Sequence, residues 1–98
     1  MNLKKGDICF IISENFGGNC QGYHYEIVKG IIKNVPRGNL HEYDITCNGN
    51  MYVRKRKGIY TDYDAVLPVI DKMADDYDKR WGRIMGTKME RPWKKGEG

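Results

Sequence analysis

The sequence predicts a mainly β fold of the α+β class: a five-stranded antiparallel barrel followed by one C-terminal α-helix. Three observations support it. Before residue 61 the apolar residues come in strand-length runs separated by turns rich in glycine and asparagine. The run Met51-Tyr-Val-Arg-Lys-Arg-Lys57 alternates and stops at Gly58. From Thr61 the period changes, and Tyr63, Val66, Leu67, Ile70, Met73, Ala74, Tyr77 and Trp81 recur at three- and four-residue steps, which places them on one helix face.

Each element has a local reason. Lys4-Lys5-Gly6-Asp7 is a polar turn leading into Ile8-Cys9-Phe10-Ile11-Ile12, a β-branched and aromatic first strand. Ser13 to Gly22 collects Asn15, Gly17, Gly18, Asn19 and Gly22, a composition suited to a long exposed loop. Tyr23 to Val35 reads as one long strand with Gly30 inside it, and a glycine there predicts a bend or bulge through which the strand passes from one sheet to the next. Pro36-Arg37-Gly38-Asn39 is a turn, and Glu42 to Cys47 is the third strand. Asn48-Gly49-Asn50 supplies residues tolerant of positive φ for a tight hairpin into the fourth strand, Met51 to Lys57. Ile59-Tyr60 is a last short strand or a tight turn. Thr61 is placed to cap the helix, and Asp62 and Asp64 suit its positive end. Pro68 cannot donate to the carbonyl of Asp64, so the first turn is expected to kink or stand apart, with the main helix starting at Pro68. The helix is expected to cover the open side of the barrel. Residues 1–84 form one domain, and 85–98, aperiodic and carrying Lys88, Arg91, Lys94 and Lys95, form a flexible basic tail.

Ninety-eight residues suffice for one self-supporting core. The net charge of +4 resides in the second half: Met1 to Asn50 has five basic and five acidic residues, and Met51 to Gly98 has twelve against eight. Such a balance favours acidic partners. The early apolar run Ile8 to Ile12 is too short for a membrane span or a signal core, so no membrane partner is expected and the chain reads as cytoplasmic. Cys9, Cys20 and Cys47 are an odd number without a framework spacing, which argues for reduced thiols.

The Lys-Gly-Asp turn followed by Ile8-Cys9-Phe10-Ile11, the glycine inside the second strand, and the short Ile59-Tyr60-Thr61 step into a helix resemble SH3-like barrel proteins with a C-terminal helix from bacteriophages and mobile elements. The resemblance covers about Lys5 to Trp81 and is one of fold. It implies a small accessory or anti-defence protein, of the anti-CRISPR type, acting on a host protein or nucleoprotein complex.

Candidate sites follow from residue type and spacing. By alternation Met51 and Val53 share one face of the fourth strand and Tyr52, Arg54 and Arg56 the other. Tyr52, Arg54 and Arg56, with Lys55 and Lys57, form a candidate surface for nucleic acid or an acidic protein, because arginine pairs with phosphate and tyrosine offers a stacking plane. The same residues also suit a plain solubilising strand face. Tyr77 and Trp81 lie where the helix outruns a small barrel, a candidate partner or homodimer interface. Gly17, Gly18, Tyr23, His24 and Tyr25 could form a ligand loop for a nucleotide or other small molecule, although Gly17-Gly18-Asn19 precedes a strand and lacks the helix end of a phosphate loop. Cys20, His24, His41 and Cys47 are zinc-type ligands without the paired spacing of a zinc finger. Cys20 has no orienting base apparent in the sequence. No metal, cofactor or catalytic residue is therefore expected, and the chain reads as a non-enzymatic binding protein, a sequestering protein for a small molecule, or an interaction module of a larger assembly.

Overall fold

The computed structural model describes residues 3–16, 23–85, 89, 91 and 93, and for residues 15, 16, 23, 24 and 83–85 the backbone alone. The chain runs β1 (Ile8–Phe16), β2 (Tyr23–Asn34), β3 (Glu42–Cys47), β4 (Asn50–Lys55), a 3₁₀ turn (Arg56–Gly58) and α1 (Tyr63–Met85). The strands form one antiparallel sheet in the order β1-β2-β3-β4, curled into an open half-barrel. β2 joins its two halves, pairing with β1 from Tyr23 to Ile31 and with β3 from Ile31 to Asn34.

The tight hairpin expected at Asn48-Gly49 is present, with φ of 50° and 82° at the two positions. Gly30 plays a different part from the one its position suggests. The register irregularity lies between Ile32 and Asn34. At Gly30 the missing side chain makes room instead: a Cβ there would stand 2.6 Å from Cγ2 of Ile45 and 3.0 Å from the carbonyl oxygen of Thr46. The Lys-Gly-Asp turn is stitched to the far end of β2, with the Gly6 N–H donating to the Ile32 carbonyl at 2.8 Å and the Ile32 N–H to that of Asp7 at 2.9 Å.

The expected fifth strand is reduced to one bridge. Tyr60 exchanges backbone hydrogen bonds with Phe10 at 2.7 and 2.9 Å on the outer edge of β1. The chain has little left to pair there, because the 3₁₀ turn consumes Arg56–Gly58 and residues 61 and 62 already approach the helix.

The sheet carries a core on each face. The Ile11↔Val28 pair belongs to a cluster with Cys9, Ile32, Ile45, Ile59 and Leu3 inside the curl. The next pair, Ile12↔Ile27, points to the opposite face and packs against Tyr25, Ile70 and Ala74. The helix therefore does not cover the open side of the barrel; it lies on the outer face of the β1–β2 arm. β3 pairs only with the last residues of β2, so the arm beyond them is a two-stranded ribbon, a form of marginal stability in water without a second layer. α1 supplies that layer.

α1 is one helix from Tyr63, not two pieces divided at Pro68. Val66, Ile70 and Ala74, each wholly buried at four-residue spacing, hold it to the arm across the hydrogen bond that Pro68 removes. Asp62, not Thr61, is the cap, because it immediately precedes the first helical residue: its Oδ1 accepts the N–H of Asp64 at 3.1 Å. Among the described residues no helix is long and apolar enough to cross a membrane.

Candidate functional site

The basic strand is turned the other way from the expectation. Cross-strand partners share a face, and Tyr52 is opposite the wholly buried Ile45, so Tyr52 packs against the inner core while Met51 and Val53 are 50% and 44% exposed. Alternation divided the residues correctly, but the choice of inner face was set by β3 and not by the polarity of β4.

Arg54 follows Tyr52 inward and becomes structural. Its Nη1 donates to the Val53 carbonyl at 2.8 Å and its Nη2 to the Ile12 carbonyl at 3.0 Å, with the guanidinium 5.8 Å from the Tyr52 ring centroid. These carbonyls belong to the two free edges of the half-barrel. Phe10 bonds Tyr60 across the outer edge of β1, and Ile12, two residues on, points its carbonyl the same way. In β4 the pair flanking the two-residue turn, Cys47 and Asn50, bonds mutually, so Val53, three residues on, directs its polar groups away from β3. One side chain thus spans the seam that a closed barrel would fill with a ladder. Arg56 is also engaged, its Nη1 donating to the Ile59 carbonyl at 2.8 Å across the 3₁₀ turn. Lys55 and Lys57 are exposed.

The other candidates scatter. Gly17, Gly18 and Cys20 lie outside the described residues, and Tyr23 and His24 are described in backbone alone, paired with Phe16 and Asn15. His41 is exposed and Cys47 half-buried, and no group of metal-capable side chains occurs among the described residues. Cys9 is wholly buried; burial first, and the nearby Asp7 second, push its thiol pKa up.

Two candidates read separately from the sequence come together. Tyr25, from the ligand-loop group, meets Tyr77 edge to face at a centroid distance of 6.4 Å and 83°. With Met73, Asp76, Arg80 and Trp81 they line a groove of about 360 Å³ between the start of β2 and the far half of α1. The geometry follows from the sequence periods: Tyr25 is on the outer face of β2, and Met73, Tyr77, Arg80 and Trp81 repeat at helical steps above it. Trp81 is 44% exposed at the groove's end. Arg80 and Asp76 were not singled out in the sequence, because they sit beside the apolar stripe and read there as ordinary helix-surface charges.

Part of the expected tail is docked. Met89 is 7% exposed and joins the outer core. Asp78 accepts the Met89 N–H at 2.8 Å and Arg91 Nη2 at 2.8 Å; Asp75 accepts the same Nη2 at 2.8 Å, and Asp71 accepts Trp93 Nε1–H at 2.7 Å. Burial lowers the pKa of the Arg91 guanidinium, but hydrogen bonds to Asp78 and Asp75 outweigh it and the net shift is upward. The remaining residues after 85 lie outside the described set.

A second surface is apolar. Ile8↔Ile31, Ile31↔Thr46 and Thr46↔Met51 make one cross-strand row over the outer face, and Ile8, Ile31 and Met51 are all exposed. Val35, Leu40 and Val53 line a nearby depression of about 480 Å³ edged by Glu42 and Asp44.

Compared with protein-family models, curated proteins and solved structures, the chain matches none.

Proposed function

We propose that this chain is a non-enzymatic binding protein that docks on a partner protein through the aromatic groove. The convergence of Tyr25, Tyr77 and Trp81 beside Arg80 supports this reading. Tyrosine, tryptophan and arginine are the residue types that dominate binding energy when they cluster in a pocket. The sharper form, a phage or mobile-element anti-defence inhibitor of a host nucleic-acid-handling protein, draws on the resemblance to small SH3-like barrels, and the β1–Tyr60 bridge after a 3₁₀ turn is in keeping with that barrel order. Direct nucleic-acid binding is the weaker route, since Arg54 turns inward onto backbone carbonyls and Arg56, though exposed, commits one guanidinium nitrogen to the Ile59 carbonyl, which leaves Lys55 and Lys57 as the uncommitted exposed cations of the run.

The test is affinity capture from the native host with wild-type protein and with Trp81→Ala and Arg80→Glu. A protein captured by the wild type and lost from both variants, each still folded by circular dichroism, is the expected outcome. Equal capture by all three refutes the groove as the docking point. A second reading has its own support: about 360 Å³ falls in the usual size range of small-molecule sites, and aromatic faces beside a guanidinium suit a nucleotide. Thermal-shift screening against nucleotides decides it, with stabilisation lost in Trp81→Ala expected if the site is used that way.

A further inference from the structure

We infer that the outer face of the four-stranded part of the sheet is the seat of a second copy of this chain, the two sheets packing face to face about a twofold axis that lies between them and runs across the strands. The inference stands apart from the aromatic groove, which lies against the far half of α1 and takes no part in it.

The fold leaves this face bare. α1 covers the outer side of the β1–β2 arm, beginning where Tyr63 meets Phe10 edge to face at a centroid distance of 5.7 Å. Beyond that point the row Ile8, Ile31, Thr46 and Met51 is uncovered, and its three large apolar members are 48–54% exposed. In the following row Asp44 stands opposite Val53, and Val53 continues the surface into the depression it lines with Val35 and Leu40. Among the described residues eight large apolar side chains are exposed, and all but Trp81 lie on this strip from Tyr63 to Leu40. Asp44 already accepts a hydrogen bond from Asn34 Nδ2 at 3.0 Å, so covering the strip leaves its carboxylate with a partner.

Area and shape point to a second copy. Six aliphatic side chains about half exposed, with part of Tyr63, present roughly 300–400 Å² of apolar surface, in the size class of the largest patch on a typical monomer. With the polar third of a homodimer interface added, two such faces bury on the order of 1,000–1,200 Å² together, enough for a specific but weak dimer. The strip is also stepped. At the Tyr63 end α1 rises as a ridge about 10 Å high, and stacked sheets stand about 10 Å apart, so a copy turned about the cross-strand axis fits its sheet beside that ridge and carries its own helix past the opposite end. The rotation is self-complementary: it sets Met51 over Val53 of the second copy and Tyr63 near Leu40 of the second copy, and each contact occurs twice. The rim carries both signs, with Lys29 at the helix end and Arg37, Glu42 and Lys55 at the other, so a copy of the face meets no block of like charge and nucleic acid no block of opposite charge.

Sedimentation velocity of the full-length protein from about 1 µM to about 1 mM tests this. The wild type is expected to pass from monomer to dimer with a dissociation constant of about 10–100 µM. Met51→Lys and Ile31→Lys, each confirmed folded by circular dichroism, are expected to weaken the dimer at least about 100-fold, because each substitution enters the interface twice. Leu40→Ser lies in the connection between β2 and β3, outside the sheet, and serves should the strand variants not fold; it is expected to weaken the dimer about tenfold. Trp81→Ala is expected to leave association unchanged. A wild type that stays monomeric throughout, a dimer indifferent to the substitutions on the strip, or one lost in Trp81→Ala alone overturns the proposal. A monomer that captures a host protein, with capture lost in Met51→Lys, overturns it in favour of a foreign partner on this face.

Discussion

Replacing Arg54 with methionine keeps the aliphatic stem and removes the bond to Ile12 that crosses the seam of the half-barrel, together with the local bond to Val53. In the native protein the guanidinium holds the Val53 and Ile12 carbonyls at 2.8 and 3.0 Å. Hydrogen bonds from a charged donor are worth about 1.5–3 kcal/mol each when buried. Arg54 is only half-buried, and once it is gone water can reach the two edge carbonyls. The Val53 bond is exposed and local and contributes little, so the loss is mainly that of one part-buried bond, and the expected cost is about 1–2 kcal/mol, including a fraction of a kcal/mol from the tyrosine face. In urea, where a small domain has a slope of about 1–3 kcal/mol per molar, the midpoint is expected to fall by about 0.5–1 M with the slope unchanged. Arg54→Lys should recover less than half, because one ammonium on a flexible stem cannot reproduce the two-pronged geometry. If Arg54→Met instead unfolds within about 0.5 kcal/mol of wild type, as an ordinary surface substitution does, the seam has no such closure and Arg54 returns to the pool of solvent-facing cations.

Gly30→Ala is expected to cost about 1–3 kcal/mol by overpacking against Cγ2 of Ile45. In an Ile45→Ala background the same change should cost at least about 1 kcal/mol less, because the cavity accepts the methyl group; additive costs by denaturant titration would show that the two sites do not touch. Asp62→Ala should lower stability by about 0.5–2 kcal/mol and Thr61→Ala by much less, the reverse order showing that Thr61 is the cap. The raised pKa of Cys9 means that the unfolded thiol ionises first, so its contribution is intact below the ordinary thiol value of about 8.5 and is lost as pH climbs from there towards the folded value. The wild-type stability, measured relative to Cys9→Ala across that range, is expected to decline; a flat difference shows that the thiol does not sense burial.

Local chemistry made much of the architecture readable. The Asn48-Gly49 turn requires positive φ, and few other residue pairs accept it at so little strain, so the hairpin follows from two letters. The helix follows from a period that no strand can satisfy, and Val66, Ile70 and Ala74 are buried as that period implies. Tyr77 and Tyr25 could each be picked out as unusual in the sequence, but their meeting could not, because it depends on which face of the β1–β2 arm receives the helix.

What the amino-acid order determined by itself was therefore which period each element has and which residues share a face, while the start of the helix at Tyr63 and the shrinking of the last strand to one bridge were settled by packing. Tertiary structure alone decided which of two faces turns inward, since alternation is symmetric until a neighbouring strand breaks the tie, as Ile45 does for Tyr52 and Arg54. It also decided the fate of charges: a guanidinium looks equally cationic in sequence whether it meets solvent, as the run Arg54 to Lys57 invites one to assume, or two backbone carbonyls, one of them on Ile12, 42 residues earlier in the chain. The same holds for Arg91, whose three aspartate neighbours lie on a helix that only folding brings beneath it.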